Sequence, residues 1–569
     1  MSDFGIKSMG FFGTASGGGG GGGGGVIVLG GGAFSSVRCG VFNNASGYYS
    51  ASLGGIFNSA SGNYSGIVSG KNNCVSQRSG FIGGGECNTA NNNYSTISGG
   101  YLNVASGQHS FIGGGQQNIA SNENSIISGG SQNTASGYYT FIGSGRVNSV
   151  SGYASSISGG YQNSNCGSYS FIGGGRENFI ANCINNDMWG TISGGYRNCV
   201  IGRQGFVGGG QRNCACGLAS VVSGGYVNTA SGVYSAIVGG NNNVASGNES
   251  FIGGGLTNSS VGIYSSIVGG FCNFANDCYA SIGGGFFNIV SAIINGCSTI
   301  SGGDRNTIST YSQSSSIGGG SINTISPYSA YSTISGGLQN TIGCCSYRGT
   351  ISGGYLNTIT PNNPYSTISG GYNNCISQLY ATISGGYVNT ASGYASVISG
   401  GCLNIAGATA SSVGGGFNNS VTQNHTTIGG GRGNTASSEY ATISGGYKNS
   451  VSGFSSTISG GYSNTISGEY GFVGGGQSNS IIGAIKGVIG GGAQNLLSDD
   501  FGGILGGVFN CTNGFSYAMI VGSNINADRC CTTFVNNLSI KNIPTICAGL
   551  PSGSVYADCC AGYLLKIVP

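Results

Sequence analysis

The chain has 569 residues, 119 of them Gly, and only 5% are charged, with a net charge of +3. Globular chains carry about 25% charged residues, and one this close to neutral has no electrostatic footprint for nucleic acid or an anionic membrane. No apolar run reaches the roughly 18 residues needed to cross a bilayer, so membrane insertion is not expected.

Residues 1–16 are short and weakly apolar, and they read as an attachment segment that would seat on a capsid or tail protein. Residues 1–13 lack the basic start and apolar core of a secretory signal. Nine consecutive glycines, 17–25, follow as a flexible spacer, and residues 26–29 add one apolar strand. Residues 1–35 form the expected N-terminal segment.

From residue 36 to 510 the chain repeats itself. Residues 442–461, TISGGYKNSVSGFSSTISGG, show the unit, and its Asn is the ruler. Between Asn43 and Asn510 that Asn recurs in 31 copies, and 23 of the 30 intervals are 15 residues long. A fixed short period is the signature of a solenoid. An Ile sits six residues before the Asn, as Ile97 before Asn103 and Ile443 before Asn449, between Ser or Thr neighbours. That alternation predicts a short half-buried strand. The Gly-Gly behind it permits one left-handed corner, and the Ser-Gly about four residues past the Asn a second. Asn88, Asn103, Asn118, Asn213, Asn389 and Asn449 are expected to be buried, bonding the backbone and the equivalent Asn of the next coil.

The expected fold is therefore all-β, a parallel β-solenoid or β-roll of about 15-residue coils with two strands and two corners each. Thirty steps of about 4.8 Å would make a shaft of roughly 145 Å. Like charges stacked at that spacing repel, which accounts for the scarcity of charge. Two dependable apolar side chains per coil is a thin core against about 1–2 kcal/mol of ordering entropy per residue. That shortage predicts assembly with copies of itself, as a homotrimer.

Two stretches break the period. The interval from Asn178 to Asn198 is 20 residues long and holds FIANCINNDMWG, with the only Trp, Trp189. It is expected to bulge and makes Trp189 a candidate receptor contact. From Asn288 to Asn374 the steps are one of 18 and four of 17, carrying Pro327, Pro361 and Pro364, which predicts a locally fatter collar. Residues 511–569 lose the pattern and read as a small β cap over the open end.

The 21 cysteines show no repeated pairing frame. Cys74, Cys199, Cys214, Cys375 and Cys511 follow the ladder Asn in a slot held elsewhere by Thr, Ser or Val, so they are expected to be unpaired small apolar residues. That suits synthesis in a reducing host cytoplasm.

The Ser-x-Ile-x-Gly-Gly-x-x-Asn-x-Ala-Ser-Gly unit of residues 36–510 resembles the coils of trimeric autotransporter adhesin heads. The resemblance implies left-handed parallel β-rolls with three chains to a shaft. The chain is expected to depart from that family in lacking a signal peptide and a C-terminal membrane anchor. The segment Asn537-Leu538-Ser539-Ile540, with Gly549-Leu550-Pro551-Ser552-Gly553 and Leu565-Lys566-Ile567-Val568, is similar to the closing segment of phage and large-DNA-virus fibre or tail-associated proteins. Together the two imply a fibre on a virion surface.

Catalytic raw material is scarce. His109 and His425 each take the slot usually held by Tyr, three residues before the coil Ile, and Glu86, Glu177, Glu469 and Asp499 share no repeat position. No carboxylate pair for glycosidic cleavage can be assembled. No Gly-rich string opens a helix after a strand, which excludes a dinucleotide site. Cys214-x-Cys216 and the doublets Cys344-Cys345, Cys530-Cys531 and Cys559-Cys560 lack the spacing of a zinc site. No enzyme, cofactor or metal is expected.

What remains is surface. Tyr101, Tyr161, Tyr196, Tyr355 and Tyr387 follow the Gly-Gly, and a second row with Tyr94, Tyr139 and Tyr169 precedes the strand. Such rows either seal the coil edges or, with Asn and Ser beside them, offer stacking faces to a host-surface glycan. The expected function is a structural fibre or attachment protein; the alternative is a bacterial or prophage-derived adhesin. An ice-binding solenoid fits less well, because strand Thr appears in only some of the coils.

Overall fold

The computed structural model describes residues 28–37, 40–181, 188–291, 296–537, 551–552, 555–558 and 564–567. The attachment segment expected at 1–16 and the glycine spacer at 17–25 lie outside the described residues. The chain forms two compact units, Met1–Tyr234 and Ser235–Pro569. Each is a parallel β-solenoid in which every coil lies in register on the one before it.

The coil of Asn118 shows the construction. Phe111–Ile112 pairs in parallel with Thr96–Ile97 on one side and Ile126–Ile127 on the other. Ile119–Ala120 pairs likewise with Val104–Ala105 and Thr134–Ala135. Between these strands Gln116 makes a single-residue bridge to Tyr101 and to Ser131. The coil thus has three hydrogen-bonded ladders, where two strands and a flattened roll were expected. In unit 2 the coil of Asn449 repeats the plan, with Thr442–Ile443 and Ser450–Val451 flanking the Tyr447 bridge.

The corners differ from expectation in a way the coordinates explain. The third residue before each Asn is left-handed and is Gly, as at Gly100 (φ 101°) and Gly115 (φ 92°). The Gly of Ser-Gly is not left-handed. It is small because a Cβ on Gly107 would lie 1.8 Å from the Asn122 carbonyl oxygen of the next coil. The left-handed residue of that corner comes two positions later, at Tyr94, His109, Asn124 and Tyr139. A third lies directly before each Asn, even where the residue is Leu102, Val147 or Val227. β-Branched residues rarely adopt that conformation. Here the Val147 amide donates to the Ser131 carbonyl of the preceding coil at 2.9 Å, which fixes the backbone.

Four side chains per coil point inward. Ile97 and Ile443 are fully buried, as is the Ala or Val two residues past the Asn (Ala105, Ala120, Val451). The Asn is the third and a Ser or Thr the fourth, for instance Ser95, Ser110 and Thr140. The core is therefore closed within one chain, so burial alone does not demand the three chains expected from the sequence.

Each ladder Asn has its amide fully used. Asn118 Nδ2 donates to the Gly114 carbonyl of its own coil at 2.9 Å and to the Gly130 carbonyl of the next at 2.9 Å. Its Oδ1 accepts the Asn133 amide at 3.0 Å, and its own amide donates to Asn103 Oδ1 at 3.0 Å. Asn88, Asn103, Asn213, Asn389 and Asn449 repeat this pattern.

The coils of the 17-residue steps widen at one corner. Two left-handed residues stand where the ordinary coil has one, as Tyr328 with Tyr331 and Cys345 with Arg348. The widened corner turns an extra hydroxyl inward: the Ser329 amide donates to Ser312 Oγ at 3.1 Å and the Ser346 amide to Ser329 Oγ at 3.2 Å. Stacking runs past Asn510, since Met519–Val521 pairs in parallel with Gly503–Ile504 and Thr533–Val535 in turn with Met519–Val521. Val555–Asp558 and Leu564–Ile567 form an antiparallel hairpin.

Asn118→Asp removes both donated bonds and sets a carboxylate against two carbonyls. Orphaned buried polar groups cost about 1–3 kcal/mol each, so a loss of about 2–5 kcal/mol is expected. It should be read as faster amide exchange across the neighbouring coils and a lower urea midpoint.

Candidate functional site

Because the interior of each coil holds the stack together, chemistry directed at a partner lies on the outward rungs. Rungs on consecutive coils are strand-spaced, so aromatic side chains at one position meet face to face. Tyr264 stacks on Tyr279 at 4.8 Å and Tyr365 on Tyr380 at 5.0 Å. His109 and His425 occupy this corner row as expected, against Tyr94 at 4.8 Å and Tyr440 at 5.2 Å.

Trp189 belongs to the same row. It was expected at the tip of a bulge, but it stands in coil register: its amide donates to the Ser168 carbonyl at 3.1 Å, and its ring stacks on Tyr169 at 5.7 Å. Arg203 of the next coil lies 5.5 Å from the Trp189 ring centre. The extra residues of this coil, 182–187, lie outside the described residues.

The five tyrosines singled out after the Gly-Gly form the bridge ladder, a different face. Tyr101 is exposed between the Glu86 and Gln116 rungs. Tyr161 and Tyr196 flank the Arg176 rung, each ring centre 5.4 Å from its guanidinium. Glu177 pairs with both Arg176 and Arg197, and those hydrogen bonds, Arg197 first, hold its carboxyl below the usual range. Tyr355 and Tyr387 flank Tyr372 at 5.3 and 4.8 Å. Within this row Tyr161, Tyr196, Tyr355 and Tyr387 pack against the side chains of neighbouring rungs.

Concavity arises at the corner instead. In unit 1 Tyr138, Tyr153 and Tyr169 line a groove of about 530 Å³ with Asn122, Ser136 and Ser151. Tyr153 is central, 5.5 Å from Tyr139 and 5.4 Å from Tyr169. In unit 2 the widened corners form a second groove of about 420 Å³ from Tyr311, Tyr328, Tyr331 and Tyr347. Tyr138 and Tyr153 lie five residues past Asn133 and Asn148, a position usually left to smaller residues, so the row pattern gave no sign of them.

Two buried acids also escaped the repeat analysis. Asp277 and Asp499 both lie four residues past a ladder Asn, where Gly is usual. They are 1% and 5% exposed, and none of their carboxylate oxygens has a hydrogen-bond partner of good geometry. Burial pushes both carboxyls up, although the amides of Gly296 and Cys278 pull Asp277 back. Among the described residues no three His, Cys, Asp or Glu side chains lie together as a metal site would require.

Among the described residues the cysteines are free as expected, with one correction. Cys214 and Cys216 are joined in a disulfide, because residues two apart on one strand edge project to the same side. Burial pushes the Cys199 thiol up to about 11 and raises Cys74 and Cys375.

No family model matches the chain, and no curated protein matches it.

An acid whose folded pKa is raised binds more protons folded than unfolded, so stability falls as pH rises from the ordinary carboxyl range through the raised value. Asp277→Asn should reduce that slope, leaving the share due to Asp499, and raise the thermal midpoint at pH 7, as scanning calorimetry at several pH values would show. At pH 8 iodoacetamide should label exposed Cys297, Cys530 and Cys531 within minutes and Cys199 far more slowly, read by peptide mass spectrometry.

Proposed function

We propose that the chain is a structural fibre or attachment protein of a virion surface, made in a reducing host cytoplasm, whose coils form a shaft that associates with copies of itself. In this reading residues 1–35 seat on a capsid or tail protein and outward rungs meet a host receptor. The observation that carries it is the use of the coil interior: apart from Asp277 and Asp499, the buried side chains among the described residues are apolar, hydroxyl or amide groups packed within the stack. Among the described residues the cysteines are free except the Cys214–Cys216 pair, which accords with a reducing compartment. Three chains to the shaft follow from the adhesin-head resemblance.

The second reading, a glycan-binding adhesin, is favoured by the Tyr138–Tyr153–Tyr169 groove. Aromatic faces beside neutral hydroxyls and amides suit uncharged sugar rings, which stack through C–H faces and hydrogen-bond at their rims.

Immunogold labelling of purified particles with antibody to the coils should decorate their surface, and absence of label would defeat the fibre reading. On a glycan array the paired change Tyr153→Ser and Tyr169→Ser should weaken binding at least tenfold under the adhesin reading. Tyr101→Ser or Tyr387→Ser should leave it unchanged.

A further inference from the structure

One outward face of unit 1 carries an order that neither stability of the coil nor the proposed function explains. Along the strand ladder that ends on the buried Ile, the outward residues pair in the sequence Phe81, Thr96, Phe111, Ile126, Phe141, Ser156, Phe171, Thr191, Phe206. Phe thus occupies every second rung five times running. A second position alternates in step: two residues on, Gly83, Gly113, Gly143, Gly173 and Gly208 accompany Phe, while Ser98, Ser128, Ser158 and Ser193 accompany the smaller rungs. A Cβ on Gly143 or Gly173 would lie 2.4 or 2.3 Å from the Ser158 or Ser193 carbonyl oxygen of the next coil, with the Phe141 or Phe171 ring in ordinary contact at 3.5 Å.

A chain stabilising itself alone would stack like rings on successive coils, as this one does elsewhere: Phe42 lies on Phe57 at 4.9 Å and Tyr372 on Tyr387 at 4.8 Å. Here the rings stand two coils apart, about 9.6 Å at strand spacing. That gap is twice the stacking distance the chain uses, so it admits one further ring where the rung between carries Thr96, Ser156 or Thr191, while Ile126 fills part of the gap between Phe111 and Phe141. Phe81, Phe111, Phe141 and Phe171 are 36–41% exposed, and no charged residue lies on the rungs between them.

We infer that this face is the docking surface for a second copy of the same chain, whose phenylalanines enter the gaps and complete a continuous aromatic stack. The offset fixes the symmetry. An axis along the stack, two-fold or three-fold, brings equal rungs to equal height and sets Phe against Phe. Only a two-fold axis across the stack places Phe opposite Thr96, Ile126, Ser156 and Thr191, so the two copies run antiparallel. From Phe81 to Phe206 the face is roughly 38 Å long by about 15 Å wide, near 600 Å² per partner. That meets the lower bound for a specific interface. The inference rests on the reading of the coils as a self-associating shaft, and for this face it replaces three parallel chains with an opposed pair.

Sedimentation equilibrium of the full chain tests it. Wild type should weigh about twice 56.4 kDa. The triple change Phe111→Ser, Phe141→Ser and Phe171→Ser should return the single-chain mass with an unchanged circular dichroism spectrum, since Ser156 already occupies this row. Ser156→Phe is the sharper variant: it adds apolar surface but plugs a gap, so it should weaken association at least tenfold, and Thr191→Phe should do the same. A three-chain mass, a triple variant that still pairs, or tighter association on plugging a gap would each overturn the opposed pair. A single-chain wild type would overturn self-association itself, yet gold-labelled particles would still support a fibre.

Discussion

The constraint on which everything else depends is the buried asparagine amide. An amide group has two donor hydrogens and a carbonyl oxygen, and burying it without partners costs several kcal/mol. In this coil those capacities meet three backbone groups that bending the chain would otherwise orphan: the carbonyls of Gly114 and Gly130 and the amide of Asn133, in the case of Asn118. Each Asn therefore serves its own corner and the coil that follows. No other side chain of that size offers donors and an acceptor in one plane. A Gln would reach too far, and an Asp would repel the carbonyls.

Because a corner held this way needs no bulk, the rest of the interior can be small. Ile, Ala and Ser fill it, and the coil closes at fifteen residues. The price is that every rung repeats its neighbour's environment. Opposite charges can share adjacent rungs, as Lys71 and Glu86 do at 3.1 Å, and aromatic rings can share them by stacking. An inward acid has no such remedy: Asp277 and Asp499 sit at a glycine corner with no ion pair among the described residues.

The asparagine and isoleucine period made the solenoid legible before any coordinates, because in-register stacking turns a spatial repeat into a sequence repeat. Asn103, Ile97 and their counterparts stand where the spacing put them. The cross-section was less legible. Left-handed backbone was sought at glycine, yet at Val147 and Tyr139 a hydrogen bond from the neighbouring coil imposes it on whatever residue is there. Composition within one coil carries no trace of that bond. Trp189 misled for a related reason, since counting residues locates an insertion but not the point at which register is recovered. Tyr153 was invisible because a groove depends on which unlike rungs come together, not on which alike ones recur.

The widened corners carry a consequence for how such a chain can grow. The hydroxyl of Ser312 serves the amide of Ser329, which serves Ser346, which serves Asn363. At that last rung the Asn363 amide turns back on Thr360 and Pro361 and closes the series. A corner opened alone thus leaves its own amide unanswered unless the coil before it has opened too. Enlargement should spread through such a chain in blocks with a terminator at the end, and a lone two-residue insertion should be the rarest change its lineage accepts.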